Sequence, residues 1–288
     1  MNHCILEKKI HAIGSGAIVF CHKHDIGRNG EHKLHLNDHL EIYIFVKGDT
    51  HYLVGDQYYI LEPGDILVIS PYSPHVPILK SECEYERFYL LFPTDALSDY
   101  AARPLQSLLQ AAHHQQALIR LPEQERTQAM NLLYRMSELS LSSSSTAIHT
   151  ELLLHSLAVQ FLCILNIYNG GQTSHSVPEK AVPRLVRDTL EYIHTHATET
   201  IGIAPIAAHF YISKQHLATV FKQHVGVTVN EYLLTQKISK AKQLLEQSCS
   251  VTFACYESGF NDCSYFIKVF KRMVGMTPNK YMQKYLNP

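Results

Sequence analysis

Two sets of side chains in this sequence have the types and spacing for chemistry. The first is His35-x-x-x-His39-x-Glu41, followed by Pro63-Gly64-Asp65 and then Pro74-His75. Imidazoles and a carboxylate brought together suit a borderline divalent metal. The same groups suit the polar lining of a small-molecule pocket, or plain turn positions, and the residues leave these readings open. The second set is a pair of polar triplets, Gln215, Thr219, Lys222 and Ser264, Lys268, Lys271, each member 49 residues from its counterpart. Amide, hydroxyl and ammonium groups contact base edges or grip phosphates, Gln pairing bidentately with adenine and Lys reaching guanine or the backbone. For any one of these residues the plain reading is a solvated side chain.

The triplets sit inside an internal repeat. VFKQHVGVTVNEY from Val220 matches VFKRMVGMTPNKY from Val269 at eight of thirteen positions. At about 100° per residue, Phe266, Val269, Phe270 and Met273 fall on one side of a helix, with Ser264, Lys268 and Lys271 on the other. In the earlier copy Leu217, Val220, Phe221 and His224 face inward, and Gln215, Thr219 and Lys222 outward. Ser213 and Asn261 are expected N-caps, and a shorter helix precedes each unit, at 204–211 and 251–258. Two helices joined by a tight turn, the second with a polar outer face, make a helix-turn-helix. A linking helix over 229–247 would span roughly 28 Å, close to the roughly 34 Å of one DNA turn. The alternative is a packing module alone; the outward triplets in register and the basic character of this half argue against it.

These residues resemble the DNA-binding domain of the AraC/XylS family of bacterial transcription factors. Ala207, Ser213, Leu217, Phe221, Lys222 and Gly226 carry the likeness in the first unit. In the second it rests on Gly259, Phe260, Ser264, Tyr265, Phe266, Phe270, Lys271, Gly275, Thr277 and Pro278. Pro205 inside the first short helix, Lys237 in place of the family's usual Arg, and Ala254-Cys255 in place of Ile-Ala depart from the pattern.

Upstream, residues 18–92 read as short β runs at 41–47, 50–54, 58–61, 66–70 and 85–92, punctuated by Gly48-Asp49, Gly55-Asp56, Pro63-Gly64-Asp65 and Pro71. That pattern predicts an antiparallel barrel or jelly roll, with Glu41, Tyr43 and Phe45 on one face of a strand. The His, Glu, Pro-Gly-Asp and Pro-His order is similar to the cupin barrel that precedes the DNA-binding domain in many members of the family. In metal-binding cupins His35 and Glu41 would fit the ligand frame and His75 would be the late ligand. Asn37 stands where a second His belongs, with His39 two residues on. The ligand-site expectation is therefore His35, His39, Glu41, Tyr43 and His75, with no cofactor assigned and a metal at His35, Glu41 and His75 as the alternative. After Pro93 the pattern turns helical at 95–109, 123–141 and 147–167, the last apolar nearly all round. The resemblance implies that these helices form a homodimer contact; an ordinary core helix is the alternative. The expected organisation is 1–93 cupin-like barrel, 94–167 helical extension, 168–181 linker and 182–288 all-α DNA-binding domain, with helix-turn-helix units at about 203–225 and 251–274.

The chain of 288 residues is long enough for two cores. Its net charge of −1 hides an asymmetry, since from Val182 onward twelve Lys and Arg meet seven Asp and Glu, giving +5 against −6 for the rest. A basic segment joined to an acidic one suits a polyanion-binding module attached to something else. Seven scattered cysteines, none spaced CxxC, argue against a disulfide framework or zinc finger. No Gly-rich phosphate loop or Gly-x-Ser-x-Gly turn is present. The N-terminus lacks an apolar leader, and the run 152–167 falls short of the roughly 20 residues that span a bilayer, so a cytoplasmic protein without membrane attachment is expected. With the resemblance, these residues predict a regulator, not an enzyme, that binds duplex promoter DNA. The resemblance implies a carbohydrate or related metabolite as effector, with activation through RNA polymerase commoner than repression. The competing readings are a metal-dependent cupin enzyme with a DNA-targeting module, and a regulator whose barrel only dimerises.

Overall fold

Alternation along one central strand sets the layers of the N-terminal half. The computed structural model describes residues 4–11, 17–28, 31–93, 107–108, 110, 117–141, 147–168, 182–199 and 201–286. Its strands are β1 (Cys4–His11), β2 (Ala17–Gly27), β3 (His39–Lys47), β4 (Thr50–Val54), β5 (Gln57–Ile60), β6 (Ile66–Ile69), β7 (His75–Leu79), β8 (Cys83–Pro93) and β9 (Leu118–Ile119). They form a large antiparallel sheet, β1-β2-β8-β3-β6-β9, and a small one, β5-β4-β7. From β3, Tyr43 and Phe45 enter a core with Tyr52, Leu67, Ile69 and Tyr85, drawn from both sheets. Their neighbours Leu40, Ile42 and Ile44 join a different core with Phe20, Phe88 and Leu90. A period of two thus buries both faces of the strand.

Helices α1 (Glu123–Leu141) and α2 (Ala147–Tyr168) cover that second face, contributing Leu133, Met136, Leu154, Phe161 and Leu165. The stretch 149–168 of α2 is long and apolar enough to cross a membrane, longer than the run 152–167 suggests, because the helix continues through His149 and Thr150. One side of it belongs to the sheet core; Leu152, Leu153 and Ile167 are exposed. The helix expected over 95–109 and the linker expected over 168–181 lie almost entirely outside the described residues.

The C-terminal half contains α3 (Arg184–Thr195), α4 (Ile203–His209), α5 (Lys214–Val225), α6 (Val229–Glu246), α7 (Val251–Glu257), α8 (Cys263–Val274) and α9 (Pro278–Leu286). Leu190, Ile206, Leu217, Phe221 and Tyr232 make one core, which continues onto Leu53, Tyr58, Val76 and Ile78 of the small sheet. Ile238, Leu245, Ala254, Phe266, Phe270 and Tyr281 make another. Each unit therefore has its own core, and the first is built partly on the barrel.

Local signals fix where these helices begin and end. Ser213 Oγ accepts from the His216 N–H at 3.2 Å, and Thr228 forms a capping box with Glu231. Gly226 and Gly275, at φ +80° and +83°, close α5 and α8 with their N–H groups on the Lys222 and Lys271 carbonyls. Asn261 is not the cap of α8. Asp262 is, accepting from Ser264 N at 2.6 Å and Tyr265 N at 3.1 Å. The 49-residue register itself places position 262 opposite Ser213, and the second turn is one residue longer than the first. Met273, expected inward, is 39% exposed because α8 ends one residue later and its last turn leaves the core. Gly259 is needed where it stands: at φ +84° a Cβ would lie 2.7 Å from the Thr198 carbonyl oxygen. Lys237 is buried and donates to the Gly259 carbonyl at 2.6 Å, bracing the same turn.

These differences give a stability test. Phe270→Ala should lower stability by about 3–5 kcal/mol through the cavity it leaves, whereas the exposed Met273→Ala should stay within about 0.5 kcal/mol of wild type. Urea denaturation of the two variants checks the ordering.

Candidate functional site

The first candidate surface is made by α5 and α8. Each buries an apolar seam, Leu217, Phe221 and Val225 in one and Phe266, Val269 and Phe270 in the other. The opposite sides leave Gln215, Thr219, Lys222, Ser264, Lys268 and Lys271 exposed, along with Ser213 and Asn261 at the helix entrances. The joining helix α6 has 18 residues and so runs about 27 Å. One exposed residue was not marked by periodicity. Tyr211, 96% exposed at φ +56°, holds the left-handed turn position in the first unit that Gly259 holds in the second.

The second candidate lies at the barrel rim. His35 and His75 form an antiparallel bridge, with His35 N to His75 O at 3.2 Å and His75 N to His35 O at 2.9 Å. Their rings are 4.2 Å apart. Glu41, at the rim end of β3, places Oε2 3.3 Å from His75 Nε2 and accepts from Asn37 Nδ2 at 2.8 Å. Ligand atoms of His35, Glu41 and His75 lie within 4.8 Å of one another. Burial favours the neutral form of His75, but the Glu41 carboxylate and the Ser73 carbonyl outweigh it and raise its pKa. Burial likewise opposes the charge on Glu41, yet His75, His35 and Asn37 hold its pKa below the ordinary carboxylate value.

Two of the five expected ligand residues sit differently. His39 turns to Asp38, 2.7 Å away, because its ring Nδ1 finds the adjacent carboxylate before it can reach the cluster. Tyr43 lies on the Glu41 side of β3 but is part of the packed interior, its hydroxyl 2.8 Å from that of Tyr85 and its ring 4.6 Å from Tyr52. Burial raises the Tyr43 pKa and pushes that of Tyr85 up to about 12, so both hydroxyls stay protonated.

The rim also touches the helical half. The turn at 71–74 precedes β7, and Tyr72 at its apex adopts φ +63°. The Tyr72 N–H donates to the Asn37 carbonyl at 2.8 Å, on the cluster side. On the other side Ser239 Oγ donates to the Tyr72 carbonyl, and the Tyr72 hydroxyl donates to Glu246. The Lys242 ammonium stands 4.5 Å over the Tyr72 ring, and Tyr281 reaches Glu246 at 2.5 Å. Tyr232 adds a hydrogen bond to the Gly55 carbonyl. A crevice of about 240 Å³ beside this junction is lined by Gly55, Ser73, His194, Gln236, Ser239 and Gln243, among others.

Comparison with known proteins now gives the family. An AraC-like ligand binding domain model matches residues 17–162, and a helix-turn-helix domain model matches residues 206–284. The chain belongs to the AraC family of transcriptional regulators. Among its relatives, YfiF of Bacillus subtilis, an HTH-type transcriptional regulator by name, is 25% identical over 255 residues, 88% of this chain and 79% of that one. YdeC of the same organism is 26% identical over 278 residues, covering 91% of each chain. The arabinose operon regulatory protein of Escherichia coli is 34% identical over 98 residues, 33% of this chain and 34% of that one. As an AraC-family member the chain is a DNA-binding transcriptional regulator with a ligand-binding domain, and α5 and α8 both lie within the span matched by the helix-turn-helix model.

The cap assignment is directly checkable. Asp262→Ala should cost about 1 kcal/mol of stability, as an N-cap does, and Ser213→Ala a similar amount. Thermal melts of the two variants, compared with Asn261→Ala, should place Asn261→Ala closest to wild type.

Proposed function

We propose that this AraC-family regulator reads specific duplex promoter DNA with both units of one chain and changes its occupancy when a small molecule binds the barrel. The observation that carries the reading is the pair of like helices, in 49-residue register, each exposing a polar triplet above a buried seam. Gln215, Thr219 and Lys222, and Ser264, Lys268 and Lys271, are the proposed contacts, with Ser213 and Asn261 at the helix entrances near the phosphates. Lys268 and Gln215 read bases; Lys222 and Lys271 serve base or backbone. The net +5 of this half supports phosphate attraction.

His35, Glu41 and His75 form the proposed effector site, a carbohydrate or related metabolite being the expected class and activation through RNA polymerase the expected outcome. An effector alters DNA occupancy only by favouring one arrangement of the two halves over another. The contacts from Asn37 through Tyr72 to Ser239, Lys242 and Glu246 offer a packed route, in addition to the segment 168–181. The exposed Leu152, Leu153 and Ile167 on α2 support a homodimer contact there. We place the protein in the cytoplasm, where its DNA target lies.

Two experiments test this. Lys268→Ala and Gln215→Ala should each cost about 1–3 kcal/mol against the preferred base pair and relax preference at that position, whereas loss of a phosphate contact would weaken all sequences alike. Fluorescence-anisotropy titrations on single-base-substituted duplexes separate the two, and unchanged affinity and preference in Lys268→Ala would remove the assigned outer face. Glu41→Ala and His75→Ala should abolish the response to the effector that a thermal-shift screen of sugars and metabolites identifies, with effector-free DNA binding nearly intact. A full response in both would place sensing elsewhere.

A further inference from the structure

We infer that the crevice between the two halves is a binding site for one small neutral polyol, of the size of a monosaccharide. It holds about 240 Å³ and is lined by the β4–β5 turn and residues 70–74 of the barrel, and by α3 and α6 of the helical half. It shares no residue with the effector site proposed at the rim, and it rests on the regulator reading only for what occupancy does to DNA binding. Three observations carry it.

The first is a set of uncommitted hydrogen-bonding groups. Ser70 lines the crevice at 8% exposure, yet its Oγ has no hydrogen-bond partner among the described residues. A hydroxyl hidden from water without a partner is unfavourable, and a polar occupant of the crevice supplies one after a rotation about χ1. The side chains of Ser73, His194 and Gln243 also make no hydrogen bond among the described residues. Asp56 engages only Oδ1, with Gln57 at 3.3 Å, and Gln236 only Nε2, with the Tyr232 hydroxyl at 2.9 Å.

The second is the kind of group. A sugar hydroxyl both donates and accepts, so a polyol needs partners of both kinds side by side. Asp56 accepts, the hydroxyls of Ser70 and Ser73 do both, and the amides of Gln236 and Gln243 and the His194 imidazole offer either. Among the described residues no Lys or Arg lines the crevice, and Asp56 is its one formally charged side chain at neutral pH. The Lys242 ammonium is engaged by the rings of Tyr72 and Tyr281 instead. A phosphate or carboxylate ligand would therefore meet a carboxylate and no cation. Val54, Pro71 and Pro74 give enough apolar surface for ring C–H groups and too little for an acyl chain. The volume lies below the roughly 300–1,000 Å³ of sites for drug-sized ligands, which fits an occupant of about five or six carbons.

The third is position. Asp56, Ser70 and Ser73 belong to the barrel, and His194, Gln236 and Gln243 to the helical half. A ligand held by both sets binds the arrangement in which the halves meet and not one in which they part, so it strengthens that arrangement. Gln236 and Gln243 lie on α6, so occupancy fixes that helix to the barrel.

The test titrates the full chain calorimetrically with myo-inositol, D-glucose and D-ribose in turn. At least one should bind at one equivalent, and uptake of none would overturn the proposal. D-Glucose 6-phosphate and decanoate should bind more weakly; tighter uptake of either would overturn the neutral-polyol assignment. His194→Ala, Gln243→Leu and Ser70→Ala should each weaken the bound polyol by about 5–10-fold, as loss of a hydrogen bond does. Ser70→Ala should do so with a melting temperature at or above that of wild type, because it removes an unpaired buried hydroxyl. His194 is exposed, so its variant decides the matter if another fails to fold. Unchanged affinity in all three variants would put the polyol elsewhere, the rim included, and overturn the crevice site. On polyol binding, hydrogen exchange should slow at 54–57 and at 236–243 together; slowing confined to the barrel would contradict a ligand held by both halves. Sequence-specific DNA binding of the ligand-free protein separates the two readings: DNA binding without polyol uptake removes the crevice site alone, and polyol uptake without DNA binding removes the regulator reading alone.

Discussion

The turn at 71–74 is the polar constraint at the junction of the two halves, beside the core that Leu53, Tyr58, Val76 and Ile78 share with the helices. Tyr72 is held in the left-handed region, a conformation that costs an L-residue roughly 1–2 kcal/mol and persists only where surrounding contacts fix it. Those contacts come from both sides. Asn37 holds its N–H from the barrel rim, while Ser239, Lys242, Glu246 and Tyr281 hold its carbonyl, ring and hydroxyl from the helical half. Burial of Lys242 lowers its pKa, but the faces of Tyr72 and Tyr281 compensate the ammonium in part. Since α6 carries Ser239, Lys242 and Glu246 and joins α5 to the second unit, the rim of the barrel and the spacing of α5 and α8 share one set of contacts.

The two units show how a repeat is adjusted without being broken. Helices α5 and α8 and their C-terminal glycines keep the 49-residue register, because the polar triplets and the cores beneath them must rotate together. The turns differ by one residue: Tyr211 takes the left-handed position in the first, and Gly259 in the second, where the Thr198 carbonyl leaves no room for a Cβ. Lys237 then fills a role specific to the second turn, its ammonium donating to the Gly259 carbonyl from inside the core.

Much of this was legible in the sequence because the signals are short-range. Gly and Pro punctuation marked β3, β4, β5, β6 and β8 but not β1, β2, β7 or β9, and the period of 3.6 residues separated Phe266 and Phe270 from Lys268 and Lys271. The misses have local causes. Asp262 competes with Asn261 for the cap and wins by register, and Met273 lies beyond the last buried turn. At the rim, the pairing of His35 with His75 joins residues 40 apart in sequence and is set by strand pairing, which no periodicity reports. His39 was drawn away by its neighbour Asp38, and the part played by Asn37 depends on where the Glu41 side chain ends. The Tyr72 junction joins residues more than 160 apart and leaves no local mark at all.

Selection of duplexes from a random-sequence library by the full-length protein tests most directly whether one chain reads DNA with both units. Two sequence-constrained blocks are predicted, their centres about 10–10.5 base pairs apart, as two reading helices on one face of the duplex require. Enrichment of a single block per chain, or of no sequence at all, would contradict the account.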